Sequence, residues 1–161
     1  MRYFFTSLGI LIMDQWTKWL VLHHMNLYES IPVIQGFFFI TSHRNRGAAF
    51  GILQNKQWLF IIITFIVIGF VLYYLWQLKH ERPLMSFSFS LILGGAIGNL
   101  IDRLRSGEVV DFLHFQFGPY QFPIFNVADS AIVVGVIVLV ILTLISPTVE
   151  PNESLSEARD S

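Results

Sequence analysis

Long apolar runs alternate with shorter mixed segments along the chain, and this alternation predicts the main elements. The apolar runs lie at about residues 3–22, 57–78, 84–102 and 124–145. A helix rises about 1.5 Å per residue, so about 20 apolar residues cross the roughly 30 Å hydrocarbon core of a bilayer. Each run has about that length. The pattern therefore predicts an all-α membrane protein with four transmembrane helices.

The segments between the apolar runs have a different composition. Residues 23–56 contain Pro32, Gly36 and the stretch GFFFIT, which is rich in strand-forming residues. They predict a small β element at about residues 30–55, lying on the membrane surface. Residues 103–123 form a second, outer loop and contain another strand-like stretch, VVDFLHFQF. Both loops therefore contain β structure in this prediction.

Short polar segments mark the ends of the predicted elements. KHERP at 79–83 predicts a tight turn, and Pro83 is well placed to begin the third helix because proline is favoured in the first helical turn. Pro147 ends the last run, and the Ser- and Glu-rich residues 149–161 predict a disordered polar tail. The chain is therefore predicted to be one membrane domain, 1–148, followed by that tail.

Four crossings fix the relative placement of the loops. Both long loops must lie on one side of the membrane, and both termini must lie on the other. Lys and Arg normally remain in cytoplasmic loops. Here they leave the orientation open because they are spread over both sides: Arg2, Lys79, Arg82 and Arg159 on the terminal side, and Arg44, Arg46, Lys56, Arg103 and Arg105 on the other.

The composition agrees with a membrane protein and excludes several functions. Hydrophobic residues make up 54% of the chain and charged residues 13%, whereas soluble domains have about 25% charged residues. The net charge is -1 and the basic residues form no stripe, so nucleic acid is not an expected partner. The chain has no Cys, which excludes a Cys nucleophile, a thiolate metal site and disulfides.

Two short stretches place Asn and Asp at the same spacing. Asn99 and Asp102 lie in GGAIGNLIDR, and Asn126 and Asp129 lie in FNVADS. Residues three apart share one face of a helix. An ionised carboxylate within an apolar run is costly and usually has a function. We therefore expect these side chains to converge on one polar site at one side of the membrane.

The first apolar run contains its own charged pair. Asp14 and Lys18 are four residues apart and share one helix face. They are either a self-neutralising pair near the membrane interface, beside Trp anchors, or part of the polar site, and the sequence leaves both interpretations open. Gly94 and Gly98 form a GxxxG spacing just before Asn99, which predicts close approach of another helix beside the polar residues.

The polar residues suit acid–base chemistry by a pair of carboxyl groups. Two carboxyl groups held close together share a proton, so one can deprotonate water while the other donates to a carbonyl oxygen. The repeated spacing suggests Asp102 with Asp129, but Arg103 follows Asp102 and is a potential ion-pair partner for it. Asp111 lies in VVDFL, and an apolar setting raises the pKa of a carboxyl group. We therefore predict Asp111 and Asp129 as the pair, supported by Asn99, Asp102, Arg103 and Asn126.

Other catalytic chemistries fit the sequence less well. Zinc sites need three or four His, Cys or carboxylate ligands, and His43 and His114 have no HExxH-like partner. A Ser nucleophile with a Lys base would have to use Lys18, but the nearest Ser before it, Ser7, is about three helical turns away. We therefore predict neither a metal nor another cofactor.

The same residues resemble the motif blocks of the lipoprotein signal peptidases, the bacterial signal peptidase II family. These blocks occur in order along the chain. The resemblance covers all of it except the acidic tail. The blocks are DQWTK at 14–18, RNRGAAFGI at 44–52, GGAIGNLIDR at 94–103, EVVDF at 108–112 and FNVADSAI at 125–132.

The resemblance implies an activity, a substrate and roles for individual residues. It implies a four-helix aspartic endopeptidase in the bacterial cytoplasmic membrane, with an extracytoplasmic β-cradle, a short loop or helix over an active site near the outer face, and cytoplasmic termini. Its substrate would be the signal peptide of a prolipoprotein, cut just before a diacylglyceryl-modified Cys. Globomycin-type cyclic peptides would inhibit it. The catalytic pair would be Asp111 and Asp129, and the supporting or substrate-holding residues would be Asn45, Asn99, Asp102 and Arg103, with Asn126 and Asp14 as further candidates.

A small proton-coupled membrane carrier that uses intramembrane Asp residues is the alternative function. Carriers place such residues near the membrane midplane and often have repeated halves. Here the polar residues cluster at one end of the apolar runs, and only the short Asn–Asp spacing repeats. The peptidase is therefore the predicted function.

Overall fold

The structure, a computed structural model, describes residues 2–47, 56–78 and 82–145. These ranges contain four helices and four strands. In chain order they are α1 (Arg2–His24), β1 (Ser30–Ile34), β2 (Phe38–Asn45), α2 (Gln57–Leu78), α3 (Pro83–Ser106), β3 (Val109–Phe117), β4 (Tyr120–Gln121) and α4 (Val127–Ile145).

Three of the described helices, α2, α3 and α4, are long and apolar enough to cross a membrane. α1 has 23 residues, enough for about 35 Å of helix, but Asp14 and Lys18 interrupt its apolar sequence. Exposed Ile, Val, Phe and Leu side chains cover the outer surfaces of α2 and α4, which is typical of contact with lipid. The mostly helical class and the membrane character are therefore confirmed, whereas a crossing by α1 stays a prediction.

Helix α3 is the centre of the helical bundle, since it packs against α1, α2 and α4 and most of its residues are buried. A Cβ added to Gly94 would lie 2.6 Å from the backbone oxygen of Ser7 in α1, and one added to Gly95 would meet the backbone oxygen of Ala128 in α4. Only glycine allows the neighbouring backbones to come this close. The close helix approach predicted from the GxxxG spacing is therefore confirmed.

The four strands form one antiparallel sheet in the order β1-β2-β3-β4. β3 coincides with the predicted stretch VVDFLHFQF and contacts α1 and α3. β2 begins at Phe38, two residues later than the GFFFIT stretch, because Gly36 has a φ of 76° and lies in the turn after β1. Among the described residues, the β element predicted at 30–55 includes strands at 30–34 and 38–45, and strands from the second loop join it.

Two helix boundaries differ from the predictions by three residues or more. α3 continues to Ser106 instead of ending at position 102, so Arg103 belongs to this helix and not to the outer loop. Gly107 ends the helix in the left-handed conformation, φ 75°, with its N–H bonded to the backbone oxygen of Arg103 at 3.0 Å. α4 begins at Val127 rather than at position 124, because the backbone oxygen of Phe125 accepts hydrogen bonds from β3 and keeps this part of the chain extended.

Some predictions concern residues outside the described ranges. These are the end of the β element at 48–55, most of the turn at 79–83 and the polar tail at 149–161. The extent of the membrane domain, 1–148, and the short loop or helix over the active site also stay predictions.

Candidate active site

Asp111 lies in the buried part of β3 and is 1% exposed. The antiparallel register pairs Asn45 of β2 with Val109, which places Asn45 diagonally across from Asp111. Asn45 Nδ2 donates a hydrogen bond to Asp111 Oδ2 at 2.8 Å, and Asn126 Nδ2 donates to Asp111 Oδ1 at 2.7 Å. Both carboxyl oxygens of Asp111 are therefore held by side-chain amides.

Asp129 lies in the first turn of α4, and Asn126 immediately precedes this helix. Asn126 Oδ1 accepts from the Asp129 backbone N–H at 2.9 Å, and Asp129 Oδ2 accepts from the Asn126 backbone N–H at 3.2 Å. This reciprocal pair is a capping box, in which two otherwise unpaired backbone donors are satisfied. The prediction that Asn126 and Asp129 share a helix face is therefore wrong, because Asn126 is the N-cap residue and lies outside the helix.

Asn99 of α3 connects the residues around the two carboxyl groups. Its Nδ2 donates to Asp129 Oδ1 at 2.7 Å, and its Oδ1 accepts from Asn126 Nδ2 at 3.2 Å. Asn126, which is fully buried, thus contacts the carboxyl group of Asp111 through its side chain and the carboxyl group of Asp129 through its backbone N–H. The structure brings Asn45, Asn99, Asp111, Asn126 and Asp129 into one hydrogen-bonded network, as the sequence predicts for a polar site.

A buried ion group lies next to this network. Lys18 Nζ is 2.8 Å from Asp14 Oδ2 and 2.8 Å from Asp102 Oδ2. The same Nζ donates to Asn99 Oδ1 at 2.9 Å. Asp14 also accepts from the backbone N–H of Ala128 at 3.0 Å, in the first turn of α4. The ion group therefore links α1, α3 and the start of α4.

These contacts bear on two statements made from the sequence. The Asp14–Lys18 pair is present, but it is buried and shares its cation with Asp102. Arg103 is not placed as the ion-pair partner of Asp102, because successive helical residues point in different directions. Its guanidinium carbon lies 5.1 Å from the ring centre of Phe60, and it lines the groove described next.

A groove of about 510 Å³ opens over the two carboxyl groups, within the usual size range of ligand sites. Its polar side carries Asn45, Asn99, Arg103, Asp111, Asp129 and Ser130. Its apolar side consists of residues 122–125 together with Ile132, Val133 and Val134. The groove therefore offers acid–base groups next to a surface suited to apolar chains.

Burial, and next the negative charge of Asp129, raise the pKa of Asp111 to about 7, although hydrogen bonds from Asn45 and Asn126 and the charge of Lys18 oppose this change. A carboxyl group with such a pKa gains or loses a proton near neutral pH, as a general acid or base must. With a second carboxyl group in the same groove, one group can accept a proton while the other donates one. Among the described residues, no cluster of His, Asp and Glu could hold a metal ion.

Gln15 contacts the ion group, although the sequence pattern did not single it out. Its Nε2 lies 3.2 Å from Asp14 Oδ2, 3.2 Å from the backbone oxygen of Gly98 and 3.0 Å from Asp102 Oδ1. It thereby joins α1 to α3 beside the ion group. Gln15 could have been noticed as a polar residue within an apolar run. The spacing did not connect Gln15 with Asp14, however, because adjacent residues in a helix do not share a face.

The chain is similar to known proteins over almost its whole length. Residues 6–145 match the family described as Signal peptidase (SPase) II. A lipoprotein signal peptidase from Halalkalibacterium halodurans is 55% identical over 140 residues, 86% of this chain and 89% of the relative. One from Bacillus pumilus is 52% identical over 145 residues, 90% of this chain and 94% of the relative. A bacterial membrane enzyme solved by the in meso method at 2.3 Å resolution is 38% identical, with a TM-score of 0.84 over 94% of this chain and 92% of that chain.

The matched region includes the whole hydrogen-bonded network, the ion group and the helices that carry them, apart from the first four residues of α1. The relatives are more than half identical over most of both chains. The chain therefore belongs to the signal peptidase II family.

Proposed function

We propose that the chain is an aspartic endopeptidase that removes the signal peptide from diacylglyceryl-modified bacterial prolipoproteins, cutting just before the lipid-modified Cys. The family and the names of its relatives support a peptidase that acts on lipoprotein precursors. The observation that carries the aspartic mechanism is the double contact of Asn126, which touches both Asp111 and Asp129 and keeps the two carboxyl groups in one groove.

Asp111 and Asp129 act as one acid–base pair in this mechanism. The ionised carboxylate takes a proton from water, whose oxygen attacks the scissile carbonyl carbon, while the protonated carboxyl donates to the carbonyl oxygen. The resulting diol collapses as the C–N bond breaks. The first carboxyl passes its proton to the leaving nitrogen, and a diol hydroxyl returns a proton to the second, so the pair ends in its initial protonation state.

The neighbouring residues support the pair in different ways. Asn45, Asn99 and Asn126 hold the carboxyl oxygens through N–H donors. Arg103 lines the groove and offers donors to backbone oxygens of the substrate. Asp14 and Asp102 act from outside the groove, through the ion group with Lys18.

We also propose four crossings of the bacterial cytoplasmic membrane, with α1 as the additional one. The termini are then cytoplasmic, and the sheet, the groove and a short covering loop lie at the outer face. Exposed Phe4, Phe5, Leu8 and Ile12 on α1 suit contact with lipid. The substrate's scissile bond and acyl chains meet at the bilayer edge, where the apolar side of the groove can bind them. Globomycin-type cyclic peptides would compete for the same groove.

The test is cleavage of a diacylglyceryl-modified prolipoprotein by purified protein in detergent. Asp111→Asn and Asp129→Asn should each abolish turnover, because each removes one member of the pair. Asp102→Asn, outside the groove, should keep partial activity. Thermal unfolding of every variant shows whether lost turnover reflects lost chemistry or lost folding.

Two results would contradict the proposal in different ways. An inactive Asp102→Asn together with an active Asp111→Asn would make Asp102 and Asp129 the pair. A wild-type protein that cleaves no lipid-modified substrate would exclude the peptidase. Proton flux in liposomes would then test the carrier function, which the clustering of the polar groups at one groove does not favour.

A further inference from the structure

Lys18 is a buried cation that the proposed mechanism does not use. Its side chain is 2% exposed. A Lys ammonium group has three N–H donors and no acceptor. All three donors are occupied, by Asp14 Oδ2 at 2.8 Å, Asp102 Oδ2 at 2.8 Å and Asn99 Oδ1 at 2.9 Å. The ammonium group therefore has no donor left for a substrate or for the catalytic pair.

The contact with Asn99 connects Lys18 to the pair through one side-chain amide. Asn99 Oδ1 accepts from Lys18 Nζ at 2.9 Å and from Asn126 Nδ2 at 3.2 Å. At the other end of this amide, Nδ2 donates to Asp129 Oδ1 at 2.7 Å. Lys18 thus lies two hydrogen bonds away from Asp129.

The ammonium group makes the shorter of the two donor contacts to Asn99 Oδ1, at 2.9 Å against 3.2 Å for Asn126 Nδ2, and it favours the orientation in which the amide nitrogen faces Asp129. An Asn amide has nearly the same shape after a rotation of about 180°. After that rotation, its NH₂ group would face the donors of Lys18, and its carbonyl oxygen would face the carboxylate of Asp129. Because Lys cannot accept a hydrogen bond, only the observed orientation satisfies both neighbours. A residue that both donates and accepts, such as Gln, would not impose this orientation.

We propose that Lys18 is a positioning residue for Asp129. Its ammonium group keeps the Asn99 N–H directed at the carboxyl group, and Asp14 and Asp102 keep the ammonium group in place. This inference rests on the proposed function, in which Asp129 belongs to the catalytic pair. Because Lys18 lies outside the groove, its removal should lower kcat and leave KM nearly unchanged.

A double-mutant cycle of Lys18→Met with Asn99→Ala measures this coupling. Met fills a similar volume but has no N–H donor. Under single-turnover conditions, Lys18→Met should slow cleavage of the diacylglyceryl-modified prolipoprotein roughly 10- to 100-fold, as small misplacements of reacting groups do. In the Asn99→Ala background no amide remains to be oriented, so Lys18→Met should cause little further loss.

Folding needs a matched control, because Lys18→Met leaves Asp14 and Asp102 buried without their cation. The double variant Asp14→Asn/Lys18→Met removes one acidic and one basic side chain together, so the formal net charge of the ion group is the same as in the wild type. Its reference is Asp14→Asn alone, since Asn can still accept from the Ala128 N–H. Both should unfold cooperatively in detergent. The variant without Lys18 should have the lower kcat and a similar KM.

The outcomes separate the inference from the function on which it rests. The positioning role would be overturned if the double variant lost activity by the product of the two single losses in kcat, because Lys18→Met and Asn99→Ala would then act independently. A change in KM alone would also overturn it. So would a failure of both Lys18 variants to unfold cooperatively, because Lys18 would then be a folding residue. If Asp129→Asn cleaves at the wild-type rate in the same assay, the catalytic pair itself is wrong, and the role of Lys18 falls with it.

Discussion

Ionisation of Asp111 should cost folding free energy, and this cost can be measured. Burial is the main cause that raises its pKa from the usual 3.8 to about 7 in the folded protein. Between these two values, the folded state keeps a proton that the unfolded state has lost. The contribution of Asp111 to the free energy of unfolding is therefore largest at low pH, and it decreases as the pH rises towards about 7.

The expected size follows from the difference between the two pKa values. Each pH unit in this window changes the free energy of unfolding by about 1.4 kcal/mol. From pH 5 to pH 8 the change is about 2 to 3 kcal/mol, because the folded group ionises only near the upper end of that range. Asp111→Asn removes this titration. The altered hydrogen bonds of this variant to Asn45 and Asn126 cost a similar amount at every pH. The difference between the two pH values therefore reports the ionisation that Asp111 adds, including its interaction with Asp129.

Thermal unfolding of the wild type and Asp111→Asn in a neutral detergent, between pH 5 and pH 8, tests this reasoning. The wild type should lose roughly 5 to 10 °C more in Tm than the variant over this range. The five His residues are present in both proteins, so their titration cancels in the comparison. Parallel curves of Tm against pH would refute the argument, and a larger loss in the variant would reverse its sign.

Substitutions at three other positions test the helix packing and the cap of α4. Gly98→Ala should lower Tm and activity, since the new Cβ would lie 2.5 Å from Asp14 Oδ2 and overpacking costs about 1 to 3 kcal/mol. Gly9→Ala is the control, because a Cβ at Gly9 would have no neighbour within 4 Å. It should raise Tm slightly because Ala is favoured over Gly in a helix, and a lower Tm for Gly9→Ala would contradict this reasoning. Asn126→Ser should be more stable than Asn126→Ala by about 0.5 to 2 kcal/mol, because a Ser hydroxyl still caps α4. Both variants lack the amide that donates to Asp111, so both should lose most of their activity in single-turnover cleavage. Equal stability of the two variants would contradict the capping role of Asn126.

The helices were predictable where lipid contact determines their sequence. α2 has the predicted bounds, 57–78, because an apolar run alone specifies a segment that is mostly exposed to the membrane. The helix ends beside the groove were not predictable from the runs. Gly107 ends α3 only after Arg103, and the backbone oxygen of Phe125 accepts hydrogen bonds from β3. These boundaries depend on one left-handed glycine and on a strand that lies elsewhere in the sequence.

The identity of the candidate site residues was easier to predict than their geometry relative to one another. Residue type and apolar surroundings pointed to Asp111 and Asp129, and the groove contains both. The matching Asn–Asp spacings suggested two equivalent helix faces. Only the pair in α3 lies within a helix, whereas Asn126 and Asp129 form a capping box. The same three-residue spacing serves both geometries, so the sequence pattern alone could not distinguish them.

The ion group shows why spacing reveals only part of a buried site. The Asp14–Lys18 contact is local and follows from helical periodicity, but Lys18 and Asn99 are 81 residues apart and meet only because α1 packs closely on α3. Stability does not explain the charges, since apolar residues of similar volume often replace buried ion groups without loss. An apolar side chain at position 18 could fill the space but could not donate to Asn99. The orientation of that amide towards Asp129 is therefore the property of this group that packing alone would not reproduce.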